Sequence, residues 1–169
     1  METPDRSVGP VFIYMKGWIH LEERFFLNRF PGIDDPSELP EYIRKHAHEL
    51  ISSSRPFADY MRAKFREKGV LQQNVFLAAD LSENYGYKLI AEEKHTVDRD
   101  VILRICFAAR FNIVETQEAL ILYGMAPLYE RLPRDIVLIT AFCHDVYDFE
   151  KINNLLLSCG QRALTENTA

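Results

Sequence analysis

Cysteine is scarce in this sequence, and the cysteine patterns that build metal sites or disulfide frameworks are missing. The 169 residues contain three cysteines, Cys106, Cys143 and Cys159, which are far apart and form no CxxC pair. Such spacing argues against a zinc site and against a small disulfide-stapled scaffold. All three fall within apolar helical patterns, so we expect buried, reduced thiols in a cytoplasmic protein.

Long apolar runs are also absent. No stretch approaches the ~18 apolar residues of a membrane-spanning helix. Glu2 and Asp5 precede a short apolar segment broken by Lys16, which is the wrong order of charges for a signal peptide. We therefore expect no membrane partner.

Motifs of enzyme active sites are missing as well. The sequence contains no glycine-rich phosphate loop, no HExxH and no clear grouping of Ser, His and Asp. His46 and His48 are two residues apart and would point to different sides of a helix, which makes a poor metal pair. The expected protein is non-enzymatic, with no metal and no cofactor.

From Pro40 onward the sequence shows the periodicity of amphipathic helices. The pattern predicts a helix over residues 41–51 and another that begins after a Ser54 cap and ends at Gly69. Further helices are predicted by their end signals. These signals are the caps Ser82, Asp98, Asn112 (with Glu115) and Asp148, and the terminating glycines Gly124 and Gly160.

The first 40 residues differ from the rest because aromatic residues are concentrated there. Phe12, Tyr14 and Trp18 belong to this segment, and Pro31-Gly32, Pro36 and Pro40 break it. The segment is either an arm packed on the main domain or an aromatic surface for a partner, since aromatic residues are enriched in interface cores. We divide the chain into an arm (1–40), a domain that opens with a leading helix (41–124) and a C-terminal helical extension (125–169).

Two short amphipathic segments, residues 72–79 and 83–91, flank the turn Asp80-Leu81-Ser82. A helix that crosses a second helix over such a turn is the usual way to present one helix to the DNA major groove. The pattern therefore indicates a DNA-binding protein.

Six further segments are informative together: Gln72-Gln73-Asn74-Val75, Asn84-Tyr85-Gly86-Tyr87-Lys88, Arg99-Asp100, Glu115-Thr116-Gln117, Leu128-Tyr129 and Arg134-Asp135. With these segments the chain resembles a subgroup of small Firmicutes proteins of the lambda-repressor-like, or XRE, helix-turn-helix family. The resemblance covers roughly residues 55–164. It implies an all-α bundle that contains a five-helix domain, whose second and third helices contact DNA, with extra C-terminal helices.

If the domain docks as repressors do, the start of its second motif helix meets base edges and flanking side chains meet phosphates. The candidate base contacts are Glu83, Asn84 and Tyr85. The candidate phosphate contacts are Gln72, Gln73, Lys88, Lys94, Arg62 and Arg66.

Charge opposes this interpretation, because residues 80–100 hold six acids against three bases and so carry about −3. The subgroup has arginine where this chain has Glu83, and it closes the motif helix with glycine near Glu92-Glu93. Two hypotheses therefore stand. One is a DNA-binding transcriptional regulator on double-stranded DNA, expected as a homodimer. The other is a bacterial or phage protein-interaction module, an adaptor or inhibitor, that uses the same motif with an acidic helix.

Overall fold

The computed structural model describes residue 33 and residues 35–165, and its contacts divide the chain into two units, Met1–Leu50 and Ile51–Ala169. In the first unit a 3-10 helix, Pro36–Glu38, leads into α1, Leu39–Lys45. The predicted partner residues Phe12, Tyr14 and Trp18 lie outside the described residues.

The predicted helix over residues 41–51 was too long at its C-terminal end. Helix α1 stops at Lys45, and the residues after it form turns, with the Glu49 amide donating to the His46 carbonyl at 2.9 Å. Helix α1 has no buried residue. Because a short helix gains most of its stability from packing an apolar face, little favours its extension.

The regular secondary structure in the described part of the second unit consists of helices, which confirms the predicted all-α class for that part of the chain. No β-strand occurs among the described residues, and no helix among them is long and apolar enough to cross a membrane. The helices are α2 (Pro56–Lys68), α3 (Gln72–Ala78), α4 (Glu83–Ile90), α5 (Arg99–Ala108), α6 (Ile113–Tyr123), α7 (Pro133–Cys143) and α8 (Phe149–Ser158).

Most predicted helix ends are confirmed. The side chains of Ser82, Asp98 and Asp148 accept from backbone amides of α4, α5 and α8. Asn112 and Glu115 form a complete capping box on α6, and Gly69, Gly124 and Gly160 adopt left-handed backbone conformations at helix ends. Ser54 is the exception, as the N-cap of α2 is Arg55 and Ser54 supplies no capping bond. The neighbouring Ser53 hydroxyl instead donates to Asp59 at 2.5 Å.

The expectation of buried thiols holds only for Cys106. Burial raises the pKa of the Cys106 thiol to about 12. Cys143 and Cys159 are exposed, which corrects the prediction. Cys143 is the last residue of α7 and Cys159 is the C-cap of α8, so both lie at helix ends, beyond the apolar stripe that the core covers.

Hairpins α5–α6 and α7–α8 repeat one another. The dipeptide Arg-Asp opens α5 and follows Pro133 at the start of α7, and Phe107 and Phe142 lie at the same distance after it. Two residues after each first helix the backbone takes a positive φ, 55° at Arg110 and 54° at Asp145, and each second helix is then capped by a side chain.

The hairpins also end in the same way. A left-handed glycine closes each second helix, and four residues later a leucine returns to the core. In the first hairpin the Leu128 amide donates to the Gln117 side chain at 2.7 Å. In the second the Leu164 amide donates to the Asn153 side chain at 2.8 Å. An internal repeat therefore extends from Arg99 to Thr165.

The two hairpins are joined by reciprocal Arg–Asp pairs. Arg99 of α5 donates both terminal nitrogens to Asp135 of α7, and Arg134 of α7 donates to Asp100 of α5 at 2.7 Å. Arg162 adds a second donor to Asp100 at 2.8 Å. We call this set the Arg–Asp clasp.

The aromatic contact between the hairpins follows the same pattern. The equivalent rings of Phe107 and Phe142 stack on each other with centroids 3.8 Å apart and planes within 6°. In both kinds of contact, a residue of one hairpin meets a residue of the other, and the equivalent residues meet with the roles of the hairpins exchanged. Such reciprocal contacts are typical of two like units related by an approximate two-fold axis.

Removal of a clasp carboxylate will be costly. Asp135 is 1 % exposed and also accepts from the Tyr129 amide at 3.0 Å. Asp135→Ala leaves the charge of Arg99 without its carboxylate partner. We therefore expect a loss of about 3–5 kcal/mol in the free energy of unfolding, measured with urea. The control Glu93→Ala removes an exposed acid and should change it by less than about 0.5 kcal/mol. A loss below about 1 kcal/mol for Asp135→Ala would contradict the clasp's role.

Candidate nucleic-acid interface

The turn between α3 and α4 has a defined backbone geometry. Asp80 takes a left-handed conformation with φ 55°, and the Leu81 amide donates to the Phe76 carbonyl at 2.9 Å. The Ser82 hydroxyl then accepts from the Tyr85 amide at 3.4 Å and starts α4. This combination ends α3 and begins α4 within four residues.

Close contact between Gly86 and Phe76 fixes how α3 and α4 cross. A Cβ on Gly86 would overlap the Phe76 ring, at 2.6 Å from both Cδ atoms. Tyr87 covers the same ring edge-on, with centroids 5.1 Å apart. Glycine is therefore required at this position by the approach of the two helices.

Helix α4 presents Glu83, Asn84, Tyr87 and Lys88 outward, and we call this set the α4 face. These residues are three or four positions apart, the spacing of neighbours on one side of a helix. The first three are exposed and Lys88 is half-buried, whereas Gly86, Leu89 and Ile90 on the other side are buried.

Tyr87 replaces Tyr85 on this face. The predicted contact Tyr85 is half-buried, and its ring lies 5.8 Å from the Lys94 ammonium. Sequence reasoning missed Tyr87, although its spacing from Glu83 and Asn84 was a usable signal.

Several acids near α4 have structural partners. Glu92 accepts from the Ala58 amide at 3.3 Å, in the first turn of α2, and Asp98 caps α5. Asp100 belongs to the Arg–Asp clasp, and Asp80 lies 3.9 Å from Arg104.

Four acids of this stretch are exposed, namely Asp80, Glu83, Glu93 and Asp98, and Glu83 accepts from Gln73 at 3.2 Å. Asp80 and Asp100 have arginine partners outside residues 80–100, and Arg99 is likewise paired with Asp135. The charges that remain are those of four acids, Glu83, Glu92, Glu93 and Asp98, against two bases, Lys88 and Lys94, so the stretch stays acidic.

The basic residues of α2 divide into two groups. Lys64 and Lys68 turn toward α6, where their ammonium groups lie 3.2 and 2.8 Å from the Glu115 carboxylate. Arg62 and Arg66 are exposed, and among the described residues neither side chain has an ionic or hydrogen-bonded partner.

The first turn of α2 lies beside the residues that follow α4. The Ala58 amide donates to the Glu92 carboxylate at 3.3 Å, and Arg55, just before α2, donates to the Ala91 carbonyl at 3.5 Å. Arg62 and Arg66 are exposed and four residues apart, so they form one stripe along the helix.

The remaining candidate contacts lie at the start of α3. Gln72 is half-buried, while Gln73 is exposed and bonded to Glu83, so the N-terminal ends of α3 and α4 lie together. The predicted phosphate contacts thus fall in three places. Arg62 and Arg66 lie on α2, Gln72 and Gln73 lie at the start of α3, and Lys88 and Lys94 lie in the last turn of α4 and just after it.

Other features carry less chemistry. The described residues contain no cluster of three His, Cys, Asp or Glu side chains that could hold a metal ion. A groove of about 690 Å³ is lined by Ala78, Arg110, His144 and Tyr147, among others. Arg110 follows the C-terminus of α5, where a cation is favoured by the helix dipole, so its charge needs no ligand.

Comparisons with protein-family models, with curated proteins and with solved structures gave no match for this chain.

The contact between Gly86 and Phe76 yields a test of the α3–α4 crossing. Alanine in place of glycine normally favours a helix by about 1 kcal/mol. Here we expect Gly86→Ala to lower the free energy of unfolding by about 1–3 kcal/mol, because the methyl group displaces the Phe76 ring. The matched change Asn84→Ala on the exposed side should be nearly neutral. If Gly86→Ala stabilised the protein in urea unfolding, the crossing would be looser than described.

Glu115 makes stability depend on pH. Burial raises its pKa, but hydrogen bonds from Lys68, the Asn112 amide and Lys64 outweigh burial and hold the pKa below its usual 4.5. A lowered native pKa means that the carboxylate stabilises the fold above pH 4.5, and that this contribution is lost as pH falls through the native pKa.

We expect Glu115→Gln to cost about 1–3 kcal/mol at neutral pH. The difference from the wild type should shrink below pH 4.5. Urea unfolding at a series of pH values measures both. A difference that is constant with pH would show that the carboxylate charge is not the cause.

Proposed function

We propose that this protein is a non-enzymatic, cytoplasmic DNA-binding regulator of transcription, which docks the α4 face in the major groove of duplex DNA. In this proposal α3 and α4 form the helix-turn-helix of a lambda-repressor-like domain made of α2–α6. The observation that carries it is the close crossing of α3 and α4 at Gly86, which leaves the start of α4 exposed and rigidly held.

The side chains of the α4 face have the chemistry for base contacts. The Asn84 amide can pair bidentately with adenine, and Glu83 can accept from cytosine N4. The exposed edge of Tyr87 suits the methyl group of thymine. These three side chains account for recognition of a short mixed sequence.

Phosphate contacts are assigned to side chains that lie on either side of the candidate base contacts. Arg62 and Arg66 are free to neutralise phosphates on one side, and Lys88 and Lys94 supply two further cations. Gln72 and Gln73 lie at the N-terminal end of α3, where side-chain amides can donate to phosphate oxygens. Because phosphate neutralisation supplies most non-specific affinity and also sets the salt slope, few cations mean weak binding with a moderate dependence on salt.

A protein-interaction module is the second candidate, and one observation favours it. The start and end of α3 expose apolar side chains, with Leu71 68 % and Leu77 78 % exposed. Such residues beside an acidic helix start would suit a protein partner better than a polyanion. In this alternative Glu83 contacts a basic group of the partner.

Fluorescence anisotropy of labelled random duplex tests the proposal across about 20–300 mM NaCl. We expect binding at low salt that weakens as salt rises. Arg62→Ala and Arg66→Ala should each reduce the salt slope by about 1, because each arginine contacts a phosphate. The control Lys151→Ala removes an exposed lysine of α8 and should change neither affinity nor slope.

Specificity needs a second measurement, on duplexes selected from a random pool. Asn84→Ala should lower affinity for the selected sequence about 5–100-fold and leave random duplex unchanged, as loss of one bidentate base contact does. No binding to any duplex at about 20 mM salt would contradict DNA binding and favour the protein-interaction module.

A further inference from the structure

The segment that joins α4 to α5, residues 91–98, contains no helix or strand but is bonded to α2 at its start. Glu92 takes a left-handed conformation with φ 58°, and its carboxylate accepts from the Ala58 amide at 3.3 Å. Arg55 donates to the Ala91 carbonyl at 3.5 Å. A non-glycine residue with positive φ is costly and persists only where the surrounding contacts hold it. We call residues 91–98 the α4–α5 segment.

Tyr123 of α6 holds the α4–α5 segment farther along. Its hydroxyl accepts a hydrogen bond from the Thr96 amide at 2.8 Å. The half-buried Tyr123 ring packs edge-on against the buried ring of Phe57 in α2, with centroids 4.7 Å apart. Because this packing fixes the ring, the hydroxyl is a fixed anchor for the segment.

Two neighbouring residues of opposite charge, Glu93 and Lys94, lie between these anchors. Both are exposed, and their amides donate to the Lys88 carbonyl at 2.9 and 3.1 Å. The Lys94 ammonium lies 5.8 Å from the centre of the Tyr85 ring, so this side chain turns back toward α4. The path of the α4–α5 segment therefore decides which of the two charges lies beside α4.

This choice matters for a polyanion because cations are scarce around α4. Among the described residues, Lys88 and Lys94 are the only lysines or arginines of residues 80–100 that lack an ionic partner, since Arg99 is paired with Asp135. A rotation of the segment that put Glu93 in the place of Lys94 would replace a cation by an anion. Phosphate would then be repelled where it is now attracted.

We propose that Tyr123 is a positioning residue of the DNA contact, which fixes the α4–α5 segment so that Lys94 faces a phosphate beside α4. This inference rests on the proposed DNA binding and adds to it a residue of α6, outside the helix-turn-helix pair. Tyr123 acts through Lys94 and does not itself contact DNA. The salt slope reports the role, because it counts the phosphates that the protein neutralises.

Fluorescence anisotropy of the full chain with labelled random duplex, from about 20 to 300 mM NaCl, tests the proposal. Tyr123→Phe keeps the ring and removes the acceptor of the Thr96 amide. It should lower the salt slope by about 1, as Lys94→Ala does, because both variants lose the same phosphate contact. The double variant should have the slope of Lys94→Ala alone.

Tyr60→Phe is the matched control, because the Tyr60 hydroxyl also bonds to the backbone of another helix. It donates to the Glu115 carbonyl of α6 at 3.1 Å. This variant should leave the salt slope unchanged. A slope that falls equally in Tyr60→Phe and Tyr123→Phe would reflect a general loss of stability and would overturn the proposal.

Hydrogen exchange measured by NMR tests the anchor without DNA. In Tyr123→Phe the Thr96 amide should exchange at least about tenfold faster than in the wild type. The Leu81 amide, which donates to the Phe76 carbonyl in the turn before α4, should keep its wild-type rate. Unchanged exchange at Thr96, or equal acceleration at both amides, would show that Tyr123 does not hold the segment.

The outcomes separate this inference from the proposed function. A wild type that binds no duplex contradicts DNA binding, and the inference fails with it. Binding by the wild type with an unchanged slope in Tyr123→Phe, shown by circular dichroism to be folded, contradicts the positioning role alone. Additive losses of slope in the double variant also contradict it, because Tyr123 would then act independently of Lys94.

Discussion

The Arg–Asp clasp is the interaction on which the rest of the second unit depends. Asp100 and Asp135 are buried carboxylates, and a buried charge is tolerated only when a cation and further hydrogen bonds satisfy it. Arg134 and Arg99 come from the opposite hairpin in each case, so neither hairpin can satisfy its own carboxylate. The two hairpins are therefore held in one register, with their equivalent phenylalanines stacked between them.

The same clasp influences the charge on two surfaces. It pairs Asp100 with Arg134, but it also uses Arg99, which is one of the three bases of residues 80–100. The stretch around α4 therefore stays acidic, and a DNA contact would need cations from α2 as well as Lys88 and Lys94. In α7 the clasp draws both charged side chains inward and leaves an apolar face to solvent.

Local features of the fold were predictable from the sequence, and non-local ones were not. Caps such as Asn112 with Glu115, and left-handed glycines such as Gly124, act within a few residues, so spacing alone reveals them. The partners of Lys64 and Lys68 lie on another helix, and no local pattern indicates them. The predicted cap Ser54 was wrong because its neighbour Ser53 bonds to Asp59 in the first turn of α2, and the helix begins at Pro56 without a side-chain cap. Both Arg-Asp dipeptides were visible in the sequence, but their reciprocal pairing appears only when two helices meet.

The central claim is that the α4 face contacts duplex DNA, and NMR spectroscopy tests it most directly. Amide signals of a ¹⁵N-labelled sample would be followed during titration with a selected duplex at low salt. The account predicts shifts concentrated at Glu83, Asn84, Tyr87 and Lys88, with smaller ones at Arg62 and Arg66. Shifts that avoid α4, or no shifts with any duplex, would contradict it.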